Sequence, residues 1–157
     1  MGINFHSQEY YESMIYPRIS EKREPRVVIG EPALNYCGLG VTFYMRPCML
    51  TPYRELNRLF IPGVVHYHYA EVIDPFFETR PAAFADNIRL PSQERALIDC
   101  IRLDELPLDE GTYLDAFYSY LAKPNFDKLR FVADHLGVAW DTVQYWIDES
   151  NSYGSEM

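Results

Sequence analysis

The sequence has few cysteines and no long apolar run. Its three cysteines, Cys37, Cys48 and Cys100, are widely spaced and form no CxxC pair, which excludes a zinc ribbon and predicts reduced, structural thiols. No window approaches 18 apolar residues, and the N-terminus has no basic stretch followed by an apolar one. We therefore expect no membrane span, no signal peptide and a cytoplasmic location.

Recognisable catalytic motifs are also missing. The sequence contains no GxSxG, P-loop, GxGxxG or HExxH pattern. His66 and His68 lie on one face of a predicted strand, a spacing that metals can use, and Glu71 and Asp74 are the nearby candidates for a third ligand. Two exposed strand histidines explain the same pattern. We expect a protein that is not an enzyme and has no catalytic residue, no metal site and no cofactor.

Basic residues are scarce in the last third of the chain. The net charge is −9, and residues 104–157 carry 3 Lys or Arg against 11 Asp or Glu, whereas residues 1–103 carry 11 against 12. Proteins bind a phosphate backbone with Lys and Arg, so the excess of acidic over basic residues argues against a nucleic-acid partner. The acidic surface fits either solubility alone or contact with a basic partner.

Apolar residues are plentiful. The chain has 157 residues, of which 48% are hydrophobic and 15% aromatic, and this excludes general disorder. A chain of this length buries roughly 70% of its unfolded surface and needs no disulfide or metal to fold. We predict an N-terminal extension at 1–25, one α+β domain at 26–150 and a flexible tail at 151–157. A strand-rich N-terminal half would pack on a helical C-terminal half.

Alternation and turn residues place the elements of the first half. The predicted elements are a helix at about 7–16 that stops near Pro17, a strand at 26–29, a helix at about 31–37, and strands around 41–45, 64–69 and 88–90. Pro32 falls in the first turn of the second helix, where its missing N–H costs nothing. The stretch between residues 74 and 88 is rich in Pro and Asp and is predicted to be mostly loop.

Four helices are predicted after residue 91. The first begins at the N-cap Ser92, and the others cover about 109–122, the segment before Gly137, and about 139–150. Arg95 and Asp99 lie one turn apart inside the apolar run of the first of these helices. This pair is either an ordinary salt bridge at the helix edge or part of a recognition signature.

The pattern of residues 129–149 is typical of a helix-turn-helix, with a glycine turn between two helices. In that alternative, Thr142, Gln144 and Tyr145 on the second helix would contact base edges. This helix contains no Lys or Arg, although DNA-binding elements usually make many basic contacts to the backbone. Two packed helices joined by a glycine turn are the simpler interpretation.

Two short segments carry a pattern found in a known family. In "IRLPSQERALIDCI" the matching residues are Ser92, Glu94, Arg95, Ala96, Leu97 and Asp99, with Gln93 where proline is usual. In "EPALNYCGL" they are Ala33, Leu34, Gly38 and Leu39, with Cys37 where histidine is common. Both segments resemble AbiEi-type antitoxins of bacterial type IV toxin–antitoxin and phage-defence operons. With "NFDKLRFVADHLGVAWDTVQYWI", the resemblance covers about residues 26–149.

The resemblance implies a domain that opposes a nucleotidyltransferase-like toxin; in some systems this opposition occurs without stable contact, and in others the two proteins bind. AbiEi antitoxins usually begin with a promoter-binding winged helix-turn-helix, but only about 25 residues precede the matching region here, so we expect the antitoxin domain alone. An acidic half suits contact with a basic cognate toxin. The candidate contact residues are Glu94, Arg95, Asp99, Asp104 and Glu105. For Arg95 and Asp99 a structural clamp is the preferred interpretation. A transcriptional regulator using 129–149 is the alternative function, and a homodimer is left open.

Overall fold

A computed structural model describes residues 8–20, 25–40, 46–52, 65–71, 74–103 and 106–155. These stretches contain one five-stranded mixed sheet and a set of helices. The strands lie mostly in the N-terminal half and the helices mostly in the C-terminal half, which confirms the α+β prediction. None of the helices in these stretches is long and apolar enough to cross a membrane.

The sheet is built on a short, fully buried central strand. Its strands are β1 (Arg26–Val28), β2 (Cys48–Thr51), β3 (His66–Tyr69), β4 (Thr79–Ala82) and β5 (Ala85–Pro91), in the order β3-β2-β1-β5-β4. β1 pairs parallel with β5 and antiparallel with β2, β2 pairs parallel with β3, and β4 pairs antiparallel with β5. A continuous run of buried residues is typical of a strand covered on both faces.

Three of these strands differ from the sequence prediction. The strand β2 lies at 48–51, and the predicted strand at 41–45 lies outside the described residues. The prediction of a loop between residues 74 and 88 was wrong for 79–82, which form β4, and for 85–87, which begin β5. Strand β4 contains Pro81, which cannot donate to a ladder, and it is tolerated because β4 lies at the edge of the sheet and its pairing with β5 shifts register there.

The N-terminal helix does not stop at Pro17. Helix α1 consists of α-helical pieces at Gln8–Tyr10 and Tyr16–Ser20 with a π-helical segment at Tyr11–Ile15 between them. The backbone N–H of Tyr16 donates to the carbonyl of Tyr11, five residues back. Pro17 therefore lies inside a continuous helical run directly after the π-helical segment, where the backbone hydrogen-bond pattern is already irregular.

The remaining helices follow the predicted order. They are α2 (Gly30–Tyr36), α3 (Gln93–Arg102), α4 (Glu110–Leu121), α5 (Phe126–His135) and α6 (Trp140–Ser155). Residues 151–155, predicted to be part of a loose tail, continue α6 as a helix. This extension packs on α4, where the ring of Tyr118 lies against Gly154.

The core lies on both faces of the sheet. Val28 and Ile88 belong to the larger apolar cluster, which the helices of the C-terminal half complete. Val27 points to the opposite face and belongs to a smaller cluster with Leu50 and Leu103. Neighbouring residues of β1 therefore face opposite layers, as the pleat of a strand requires. The larger cluster joins the strand-rich half to the helical half.

Candidate functional site between the two motif segments

Helix α3 begins at Ser92, as the sequence predicts. The Ser92 hydroxyl oxygen accepts a hydrogen bond from the backbone N–H of Arg95 at 3.2 Å. The backbone N–H of Ser92 donates to the carbonyl of Glu78 at 3.0 Å. The start of the helix is therefore fixed both by its own cap and by the turn before β4.

Arg95 is completely buried and clamps a neighbouring turn. Its Nε donates to Oδ2 of Asp99 at 3.2 Å, and its Nη1 donates to the carbonyls of Pro75 at 2.8 Å and Phe77 at 2.5 Å. Arg95 and Asp99 both have 0% exposed side chains. The pair is therefore buried and joins helix α3 to the turn at 74–78, as the structural-clamp interpretation of Arg95 and Asp99 expects.

A third charged residue completes what we call the charge cluster, formed by Arg95, Asp99 and Arg102. The Arg102 Nε donates to Oδ1 of Asp99 at 2.7 Å, and its side chain is 13% exposed. One nitrogen of each guanidinium, Nη2, has no hydrogen-bond partner within the part of the chain that the structure describes. Asp99 therefore lies between two cations, and its negative charge offsets part of the cost of burying them.

Burial removes three of the five proposed contact residues from the surface. Arg95 and Asp99 are inaccessible, and Glu94 is only 6% exposed and lies against Lys128. Their use as a contact surface was therefore wrong, because the turn at 74–78 and helix α5 cover this side of α3. The other two candidates, Asp104 and Glu105, lie outside the described residues.

The two segments that carry the family resemblance lie side by side. The Cys37 thiol donates to the carbonyl of Pro91 at 3.2 Å, and the Gln93 side-chain amide donates to the carbonyl of Cys37 at 2.9 Å. Gly38, which ends α2, has a φ of +76°, a left-handed conformation that glycine adopts without strain. The turn after α2 therefore docks onto the first turn of α3.

A cavity with both polar and apolar lining opens at this junction, and we call it the motif pocket. It has a volume of about 500 Å³ and is walled by residues 36–37, 78–80 and 90–93. Glu78 has a φ of +54° and is the one non-glycine residue with positive φ among those described. Strained backbone of this kind persists where the surroundings hold it, and here Ser92 and Lys128 both bind Glu78.

Lys128 ties helix α5 to the motif pocket. Its ammonium group lies 3.3 Å from a carboxylate oxygen of Glu78 and 3.5 Å from one of Glu94. Burial acts to lower the pKa of Lys128, but the hydrogen bonds and negative charges of the two glutamates outweigh it and raise the pKa. Lys128 is therefore charged at neutral pH, and the charges around the pocket, with Arg80 on β4, nearly balance.

The cysteine in the motif pocket is a protonated thiol. Burial raises the pKa of Cys37 to about 12; the positive charge of Arg80 acts in the opposite direction and Glu94 acts with burial. Burial also raises the pKa of Cys48 to about 12. A thiol in this state is a poor nucleophile at neutral pH. The Cys37 thiol is therefore not activated for nucleophilic attack. The polar groups that line the pocket can form hydrogen bonds with a bound molecule.

The structure brings the alternative nucleic-acid residues to the surface. Thr142, Gln144 and Tyr145 are all exposed on α6, and the Gln144 amide donates to Asp148 at 3.1 Å. Gly137 between α5 and α6 has a φ of +77°, so the predicted glycine turn is present. These residues lie on an acidic helix and apart from the motif pocket.

The histidine pair has no metal-site geometry in the described stretches. His66 and His68 lie on the edge strand β3, as predicted. In the parts of the chain that the structure covers, no three His, Cys, Asp or Glu side chains are grouped closely enough to hold an ion.

The residues of the motif pocket that come from the turn and β4 could not be predicted from the sequence. Glu78, Thr79 and Arg80 lie in a stretch that Pro and Asp make look like a loop, and no local signal marks them as neighbours of Cys37. Neither a protein-family model nor a curated protein matches this sequence. The functional interpretation therefore depends on the residues themselves and on their arrangement.

Proposed function

We propose that the protein is an AbiEi-like antitoxin that neutralises a nucleotidyltransferase-type toxin by direct contact. The observation that carries the proposal is the junction of the two resembling segments. They are hydrogen-bonded through Cys37 and Gln93, 56 positions apart, which are the positions where each segment departs from the family pattern. Two short patterns that match a family by chance would meet at one pocket less often than two that belong to one inherited fold. Their meeting at one pocket supports a shared structural origin.

The exposed charge of the helical half supports the contact. Helices α4 to α6, with the residue before α4, expose a set of carboxylates: Asp109, Glu110, Asp115, Asp127, Asp134, Asp141, Asp148 and Glu149. A toxin that handles nucleic acid needs a basic surface, and opposite charges accelerate and orient such an encounter. In this proposal the charge cluster does not touch the toxin. It holds α3 and the turn at 74–78 in place.

Co-expression with the toxin encoded by the neighbouring gene tests the proposal. We expect the intact protein to relieve the growth arrest that the toxin causes, and a pull-down at low salt to recover the two proteins together. Persistent arrest, with the folded protein present in excess of the toxin, would count decisively against an antitoxin.

A transcriptional regulator is the second candidate. The exposure of Thr142, Gln144 and Tyr145 on a helix that follows a glycine turn favours it. The absence of Lys and Arg from α6 argues against it. A promoter fragment from the protein's own operon, titrated at low salt, decides the matter: no mobility shift removes this function.

A further inference from the structure

A second cavity lies at the other end of helix α3, and we call it the apolar cleft. It has a volume of about 480 Å³ and forms where the end of α3, the connection to α4, the start of α4 and the middle of α6 meet. Its apolar walls are Ile101, Leu103, Leu106, Leu108, Tyr113 and Trp146. It is separate from the motif pocket and shares no lining residue with it.

The cleft leaves both polar and apolar surface open to solvent, and its apolar part comes from its side walls. Leu106, Leu108 and Trp146 are only half-buried, whereas Leu103 and Tyr113 close the floor. Removing such surface from water is the main driving force of most protein association. A cleft of this size fits one or two apolar side chains of a partner.

Two carboxylates stand beside this apolar surface. Asp109 and Glu110 line the cleft and are exposed. Asp109 also caps α4, and hydrogen bonds from the backbone N–H and the hydroxyl of Thr112 lower its pKa, so it is ionised at neutral pH. Asp109 and the partial positive charge of the helix N-terminus therefore offset each other in part, and the exposed Glu110 adds a further negative charge. Together with an α6 that has no Lys or Arg, the cleft favours a cation next to an apolar group.

We propose that the apolar cleft docks a basic amphipathic segment of a partner protein, with an apolar side chain in the cleft and a Lys or Arg against Asp109 and Glu110. This inference rests on the proposed function and specifies it, because such a segment is what a basic toxin would present. Charge complementarity favours it over an acidic segment or a second copy of this acidic chain.

Fluorescence of Trp146 provides a direct test. The sequence has two tryptophans, so a Trp140→Phe background leaves Trp146 as the single reporter, inside the cleft. The probe is a synthetic amphipathic helix of Leu and Lys, compared with the same peptide carrying Glu for Lys or Ser for Leu. We expect a saturable change of Trp146 emission with the Leu/Lys peptide alone.

Three variants distinguish binding of the peptide in the cleft from general attraction to the negative charge of the protein. Leu106→Ser removes apolar wall, Glu110→Lys reverses one carboxylate, and Asp127→Lys is the matched control, an exposed acid in the first turn of another helix. We expect the first two to weaken binding of the Leu/Lys peptide about tenfold or more and the control to leave it nearly unchanged. Circular dichroism confirms that each variant is folded.

Several results would overturn the proposal. Equal weakening by Glu110→Lys and Asp127→Lys would show that only net charge matters, and equal binding of the Leu/Glu peptide would exclude a basic partner. Sedimentation that detects a dimer which Leu106→Ser dissociates would assign the cleft to a second copy of the chain.

The growth assay separates this inference from the proposed function. If the intact protein and all three variants relieve the toxin's arrest equally well, the antitoxin function stands and the cleft is not the docking site. If the intact protein fails to relieve arrest, the antitoxin function falls, and the peptide titration alone decides whether the cleft takes a basic segment.

Discussion

Asp99 is the residue on which the charge cluster depends. It has 0% exposure and lies between the guanidinium groups of Arg95 and Arg102. We predict that Asp99→Asn lowers the free energy of unfolding by about 3–5 kcal/mol, because two buried or nearly buried cations lose their counter-charge. Urea unfolding followed by circular dichroism measures the change.

A matched control for this prediction is Asp134→Asn, which neutralises an exposed acid on the neighbouring helix α5. It should change the free energy of unfolding by no more than about 0.5 kcal/mol. If Asp99→Asn costs as little as the control, the charge cluster contributes nothing to stability, and its role as a clamp must be abandoned.

Only some features of the charge cluster could be predicted from the sequence. The one-turn spacing of Arg95 and Asp99 and the cap at Ser92 can be predicted, because both depend on residues within four positions. Burial of the pair cannot, because it is produced by carbonyls of Pro75 and Phe77, which lie 20 and 18 positions away from Arg95. Nothing in the local pattern indicates that this turn folds back over α3.

The contribution of the N-cap of helix α4 to stability can be measured by changing the pH. Asp109 accepts hydrogen bonds from the backbone N–H and hydroxyl of Thr112, and these bonds lower its pKa. We predict that Asp109→Ala costs about 1 kcal/mol at neutral pH. Because the folded pKa lies below the unfolded value, this stabilisation is complete above the unfolded pKa and is lost as the pH falls through the folded pKa.

Thermal or urea unfolding of both proteins between neutral and strongly acidic pH measures this difference. An Asp109→Asn variant is the control, because its amide oxygen can still accept the capping bonds but carries no charge. Its stability relative to Asp109→Ala should not depend on pH. A difference between the native protein and Asp109→Ala that stays constant down to the lowest pH would contradict the assignment of the charge to the cap.

The packing of α6 on α4 gives a second prediction at this scale. A Cβ added at Gly154 would lie 2.1–2.6 Å from ring atoms of Tyr118, far inside van der Waals contact. Alanine is otherwise the better helix former by about 1 kcal/mol. We therefore predict that Gly154→Ala is stabilising in a Tyr118→Ala background and neutral or destabilising in the native protein.

A double-mutant cycle by urea unfolding tests this coupling, which should be about 1 kcal/mol or more. Additive effects would mean that α6 and the Tyr118 ring are not in contact along residues 151–155. This contact also explains why the end of α6 could not be predicted. "NSYGS" has the composition of a loose tail, and its helical form depends on α4, about 30 positions earlier in the sequence.

At the scale of the whole molecule, one sheet and one shared core bring distant segments together. The class of the fold could be predicted, because alternation and helical periodicity differ between the two halves of the sequence. The motif pocket could not, because the register of β4 on β5 sets it, and that pairing contains a proline that looks like a strand breaker. Helix α3 links the motif pocket at its start to the apolar cleft at its end, so the charge cluster between them positions both.

The distribution of charge leads to the last prediction. The net charge of −9 resides mainly in the helical half, and long-range attraction to a basic partner should raise the association rate more than it slows dissociation. We predict that Asp148→Lys with Glu149→Lys, which reverses two exposed charges of α6, slows association with the proposed toxin partner several-fold at low salt. Raising the salt should abolish this difference, because the Debye length shrinks to about 3 Å at 1 M ionic strength. Surface plasmon resonance at two salt concentrations measures both rates. An association rate that does not change with salt or with this pair of substitutions would mean that the acidic half serves solubility rather than the encounter with a partner.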